Sequence, residues 1–151
     1  MTENTNSKFP SEADVVIVGV GGIVGSMIAY WLSELGQKNI IGLEISSVIP
    51  SDIASIAHAS DFVYNTTHDK LGCWTTAYSR KFYEDNGFFL KKGGLEICRK
   101  GDDARWEELK RKVGSGKAFG TNVRLISASE AKEKFPLLDE ESLMGAMWDP
   151  D

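Results

Sequence analysis

Histidine, cysteine and proline are scarce in this 151-residue chain, at two, two and four residues. Cys73 and Cys98 lie outside any Cys-x-x-Cys pair, and two histidines do not complete a zinc set, so no metal site is expected. The thiols read as reduced, in a cytoplasmic protein. Apolar runs of about 18 residues are absent, which argues against a membrane partner. Basic charge is not in excess: 17 Lys and Arg stand against 22 Asp and Glu, a net charge of −5. That balance argues against a nucleic-acid partner. Residues 1–13 lack the apolar core of a secretory signal and the Arg-rich character of a transit peptide, and read as a disordered lead-in. Without a secretory signal, the sequon Asn65-Thr66-Thr67 carries no weight. What remains is an ordinary globular composition, 42% apolar and 26% charged.

Against that background, residues 14–44 are organised. Asp14-Val15-Val16-Ile17-Val18 is a β-branched apolar run suited to a strand buried on both faces. The glycine cluster Gly19-Val20-Gly21-Gly22-Ile23-Val24-Gly25 follows. Val24, Ile28, Trp31, Leu32 and Leu35 then recur at helical spacing, and Gly36 stands where a helix stops. Asn39 to Leu43 forms a second apolar run, closed by the acid Glu44. Strand, glycine turn, helix, strand and acid are the order of a dinucleotide-binding βαβ unit. In such a unit one glycine permits the tight turn, one lets the backbone approach the pyrophosphate, and one lets helix and strand touch. The phosphates sit on the amides at the helix start, and the acid accepts from the ribose. A carboxylate at Glu44 repels a 2′-phosphate, so FAD or NAD is expected rather than NADP. The loop is one residue longer than G-x-G-x-x-G: counted from Gly19 the third glycine falls on Val24, and counted back from Gly25 the first falls on Val20. Either Val20 replaces a glycine or the turn bulges.

Downstream, Ile45 to Asp61 has no period and reads as a long functional loop. A helix is expected near Asp69–Asp85, with Leu71, Trp74, Tyr78 and Phe82 on one face as core. Two short strands are expected around Lys92-Gly93-Gly94, and a helix over Asp103–Val113 with Trp106, Leu109 and Val113 inward. Its charged run Glu107, Glu108, Lys110, Arg111 and Lys112 reads as a solvated face. A strand over Val123–Ile126 leads to a capping box at Ser127 and Glu130, a helix stopped by Pro136, and a last strand from Leu143 to Trp148. His68 reads as an exposed residue near a helix start.

Asp14 to Glu44, Ser55-Ile56-Ala57-His58-Ala59, Gly93-Gly94-Leu95-Glu96-Ile97 and Phe135-Pro136-Leu137-Leu138 together resemble the N-terminal part of dimethylglycine oxidases and dehydrogenases. Sarcosine dehydrogenases and other D-amino-acid-oxidase-like flavoproteins are more distant relatives in this comparison. The resemblance implies an α/β fold. A partial doubly wound, Rossmann-like FAD-binding βαβ unit and cofactor loop would span residues 14–60, and residues 61–151 would begin an α+β substrate domain. It implies an N-terminal fragment of an FAD-dependent enzyme that oxidises N-methyl amines by hydride transfer to the flavin. Gly19, Gly21, Gly22, Ile23, Val24 and Gly25 would then cradle the pyrophosphate and Glu44 the ribose. Ser55 belongs to the cofactor loop, and His58 matches the histidine that bonds covalently to the flavin ring. No catalytic residue is named. Besides the longer loop, the chain departs from the family at Asp61, where a glycine is usual, and at Pro50-Ser51-Asp52-Ile53, which lacks the usual glycines. The rival expectations are a non-catalytic relic or partner-requiring subunit, self-associating through an unfinished sheet, and a small NAD-binding module.

Overall fold

The computed structural model describes residues 10–151, so most of the expected lead-in over residues 1–13 lies outside the described residues. The chain divides into two compact units, Met1–Phe62 and Val63–Asp151.

In the first unit, β1 (Val15–Val18) and β2 (Ile40–Leu43) pair in parallel, Val15 opposite Ile40 and Val18 opposite Leu43. Parallel neighbours need a crossover, and α1 (Ile23–Glu34) supplies it. Gly36 takes φ +89° just past the helix, as its place in the sequence requires. The expectation of a strand buried on both faces is corrected. Ile17 is buried, but Val16 and Val18 are exposed, Val18 by 81%. Val24, Ile28 and Trp31 on α1 are exposed as well, as is Leu35 just after it. The physical reason is thickness: the sheet has two strands, and α1 is the helix packed on it. The expected loop after Glu44 contains one short 3-10 turn, Ser55–His58.

The second unit is built on an antiparallel sheet of order β3-β5-β4, formed by β3 (Gly94–Arg99), β4 (Arg124–Ile126) and β5 (Leu143–Asp149). Helix α3 (Asp103–Ala118) packs on it and buries Leu109 and Val113 with Cys98, Val123 and Met147. Helix α4 (Ala128–Lys134) seats Ala131 against Ile126 and Ala146. Its start is the expected capping box: Glu130 N donates to Ser127 Oγ and Ser127 N to Glu130 Oε2, at 3.1 and 3.0 Å. Helix α2 (Lys70–Asp85) is capped by Asp69, which accepts from Gly72 N at 2.7 Å.

Four expectations for this unit are corrected. One strand forms near residues 92–94, not two: β3 starts at Gly94, and the preceding segment, with Phe88 and Leu90 exposed, has no strand partner. Helix α3 runs on past Val113 through two glycines. A side chain at Gly116 would strike Thr66, Thr121 and Val123, so close packing holds a glycine there against its weak helix propensity. The face of α2 expected as core is open except at Phe82, which is half-buried. Cys73 is buried, while Leu71, Trp74 and Tyr78 are exposed, and the two rings stack at 5.6 Å. Finally, Lys112 is not on a solvated face. It pairs with Glu96, whose side chain is 7% exposed, while Arg105 Nη2 meets the other Glu96 oxygen at 2.7 Å. Charge is tolerated at that depth because both oxygens are paired. His68 is exposed, 3.4 Å from Glu108.

Candidate functional site: the glycine loop of the first unit

The loop between β1 and α1 turns at Gly19, which adopts φ +81° and donates to Leu43 O at 2.7 Å. That bond fixes the loop to the end of β2. Gly22 is the N-cap residue of α1, and no side chain caps the helix there. The first-turn amides, from Ile23, Val24 and Gly25, therefore form an unblocked helix start, where backbone donors and the helix dipole favour an anion. Gly25 is buried, and a side chain on it would run into Gly19 O and come within 2.8 Å of Val20 Cα. Helix and strand touch at that point because the residue is glycine.

A groove of about 290 Å³ opens at this helix start. Gly19, Gly22 and Gly25 line it together with Val18, Val24 and, from the 3-10 turn, Ser55. A Cβ on Gly22 would have Gly19 O at 3.7 Å and Ala54 Cβ at 3.8 Å as its nearest neighbours, ordinary contacts that it would make without a clash.

Glu44 lies below the loop. Its Oε2 accepts from Gly21 N at 2.8 Å, and its Oε1 accepts from Ile45 N and Ser46 N at 3.0 and 3.1 Å. The Ser46 and Gly21 amides hold its carboxyl below the ordinary value of 4.5. Glu44 is therefore a carboxylate at neutral pH.

Of the residues expected at the site, Gly19, Gly22, Ile23, Val24, Gly25 and Ser55 line one groove. Gly21 is turned into contact with Glu44 instead. His58 is exposed at the end of the turn that carries Ser55, outside the groove lining. Asp61 adopts φ +55°, a conformation that glycine reaches most easily, at the position where the resembled family carries glycine. Two residues escaped the sequence reading. Ser51, buried, donates its amide to Gly21 O at 3.0 Å, and no spacing rule points to it. Gly42 leaves room for the Val20 side chain, since a Cβ there would come within 2.9 Å of Val20 Cγ1. A glycine inside a strand was a usable signal of close approach.

Among the described residues no cluster of His, Cys, Asp or Glu could hold a metal, and no helix is long and apolar enough to cross a membrane.

The chain is similar to several known proteins. Human sarcosine dehydrogenase is 26% identical over 99% of this chain and 17% of its own length. The mouse pyruvate dehydrogenase phosphatase regulatory subunit is 30% identical, over 95% of this chain and 16% of its own. Human dimethylglycine dehydrogenase is 23% identical, over 97% and 17%. All three are named as mitochondrial proteins, unlike the cytoplasmic setting expected for this chain. The crystal structure of L-proline dehydrogenase from P. horikoshii superposes with a TM-score of 0.80 at 28% identity, covering 94% of this chain and 37% of that one. The chain thus spans about a sixth of the length of these curated relatives. The family model for FAD dependent oxidoreductases, DAO, matches residues 14–151. The chain belongs to the DAO family of FAD-dependent oxidoreductases.

Proposed function

We propose that the first unit binds the phosphate and ribose portion of FAD, and that the chain serves an oxidoreductase acting on N-methyl amines of the sarcosine and dimethylglycine type. The observation that carries the cofactor is the groove at an uncapped helix start, lined by three glycines and backed by an ionised Glu44. The amides of Ile23, Val24 and Gly25 would donate to phosphate oxygens, Gly22 would let them approach, and Glu44 would accept from a ribose hydroxyl. FAD, when bound, supplies the hydride acceptor for amine oxidation. The substrate class rests on the relatives named as sarcosine and dimethylglycine dehydrogenases. We assign His58 as the residue for a covalent flavin link, on its place in the Ser-x-x-His-Ala element.

The visible spectrum of the purified chain with added FAD tests this, before and after acid precipitation. Flavin bands in the native protein support the cofactor. Bands that stay with the precipitate, and are lost from it in His58→Ala, support the covalent link. Affinity for NAD without flavin would overturn the reading.

A second reading has its own support. One relative is named as a regulatory subunit, and the apolar faces on α1 and α2 are open in this chain. In that case the chain is a non-catalytic family member that works by association, with a partner or with itself. Flavin binding without amine oxidation, together with concentration-dependent assembly, would favour it.

A further inference from the structure

The loop carries four glycines where the dinucleotide motif uses three, and the structure distinguishes them. Gly19 makes the turn, Gly22 stands at the helix start where a Cβ would meet only ordinary contacts, and Gly25 lets helix and strand touch. Gly19, Gly22 and Gly25 line the groove, and Gly21 does not. Gly21 is buried, and both of its backbone polar groups are used inside the protein: the amide by Glu44 Oε2 at 2.8 Å, the carbonyl by Ser51 N at 3.0 Å. The segment that supplies these partners is itself tied, since Ser46 Oγ donates to Asp52 Oδ1 at 2.6 Å and Val48 N donates to Ser46 Oγ at 3.2 Å. The neighbouring Val20 side chain fits over Gly42.

We propose that Gly21 is a residue inserted into the glycine loop and held out of the groove by Glu44 and Ser51, which makes Glu44 a positioning residue of the loop. Gly19, Gly22 and Gly25 are then the three motif glycines, spaced three and three rather than two and three. Glu44 fixes the path of the loop before any ligand arrives, so the first-turn amides already face the groove in the free protein. The assignment rests on the nucleotide-binding reading for its ligand alone; the clasp around Gly21 exists without one.

The test pairs Gly21→Ala with Gly22→Ala, each examined by thermal melting without ligand and by FAD titration. A Cβ at residue 21 would sit 2.8 Å from Glu44 Oε2 and 2.9 Å from Ser51 Cβ, so Gly21→Ala lowers the ligand-free Tm by several degrees. Gly22→Ala keeps the ligand-free Tm within about 2 °C and weakens FAD binding at least about tenfold by filling the approach to the phosphates. The reverse pattern, with residue 22 critical for the free protein and residue 21 silent, would overturn the assignment. In Glu44→Gln, amide hydrogen exchange at Gly21 accelerates, while Gly19, bonded to Leu43 O, keeps its rate; an unchanged Gly21 also overturns it. If Glu44→Gln does not fold, exchange in the unaltered chain decides. A Gly21 amide as slow as that of Gly19 supports the clasp, and one as fast as that of Ile23 refutes it. If the unaltered chain binds no FAD and yet shows this ligand-free pattern, the proposed function fails and the loop assignment stands.

Discussion

The two units of this chain are stabilised by different means. In the second, Leu109, Val113, Val123, Cys98 and Met147 form a core between α3 and the sheet. In the first, Ile17 is the one buried apolar side chain among the described residues. The order there comes from backbone groups instead: Gly19 bonded to Leu43, Gly21 held by Glu44 and Ser51, and Gly25 pressed on Gly19. A packed core is defined by side-chain volume, whereas a nucleotide cradle needs backbone amides at fixed places with no side chains over them. The first unit is thin, a two-stranded sheet with one helix packed on it, and apolar residues on its strand and helix are exposed.

The sharpest way to break this contrast is to remove volume from the second unit. Leu109 is 0% exposed, and Leu109→Ala should cost about 2–5 kcal/mol, read from the denaturation midpoint of the second unit. A loss near zero would mean that the core between α3 and the sheet does not hold that unit. Glu96→Ala follows, at about 3 kcal/mol. It leaves Lys112, itself only 12% exposed, and Arg105 without their shared carboxylate. A Glu96→Ala chain as stable as the parent would reduce that buried pair to ornament.

The same contrast explains what was legible in the sequence. Periodicity and capping report local geometry, so α1, α2, α4, the Ser127–Glu130 box and the order of the βαβ unit could all be read directly. Spacing also brought Glu44 to the glycine loop. Long-range decisions were hidden. Whether the Trp74 and Tyr78 face of α2 points inward depends on what packs against it, and the periodic pattern is identical either way. Helix α3 passes Gly114 and Gly116 because a distant segment needs the space at Gly116, which no local propensity records. The bulge was visible as a miscount of glycines. Which glycine it displaces is settled by Ser51 and Glu44, residues 30 and 23 positions further along the chain.

A smaller effect isolates local capping from both tertiary schemes. Ser127→Ala removes the acceptor for Glu130 N at the start of α4, which should cost about 1 kcal/mol. Because α4 seats Ala131 in the second unit, the loss should appear in the melting of that unit and leave flavin binding untouched. A change in flavin affinity in this variant would mean that the two schemes are not separate.

The smallest expected change in stability is the most informative about the first unit. The Glu44 carboxyl is held below 4.5 in the folded chain, so its ionised form is favoured by folding. The sign follows from linkage: a depressed carboxyl contributes stability that is fully present above 4.5 and is lost as pH falls through the lower, folded value. Glu44 faces the Ser46, Gly21 and Ile45 amides, and the nearby carboxylate Asp52 is occupied by the Ser46 hydroxyl. Acidification below 4.5 should therefore release the Gly21 amide, seen as faster exchange and a moving amide resonance at that residue, while global melting shifts little. In Glu44→Gln the Gly21 resonance should be flat across this range. A chain in which the Gly21 amide does not follow the acid limb, although the protein stays folded, would show that its loop is held by something other than Glu44, and the contrast between a backbone-held cradle and a side-chain core would lose its central contact.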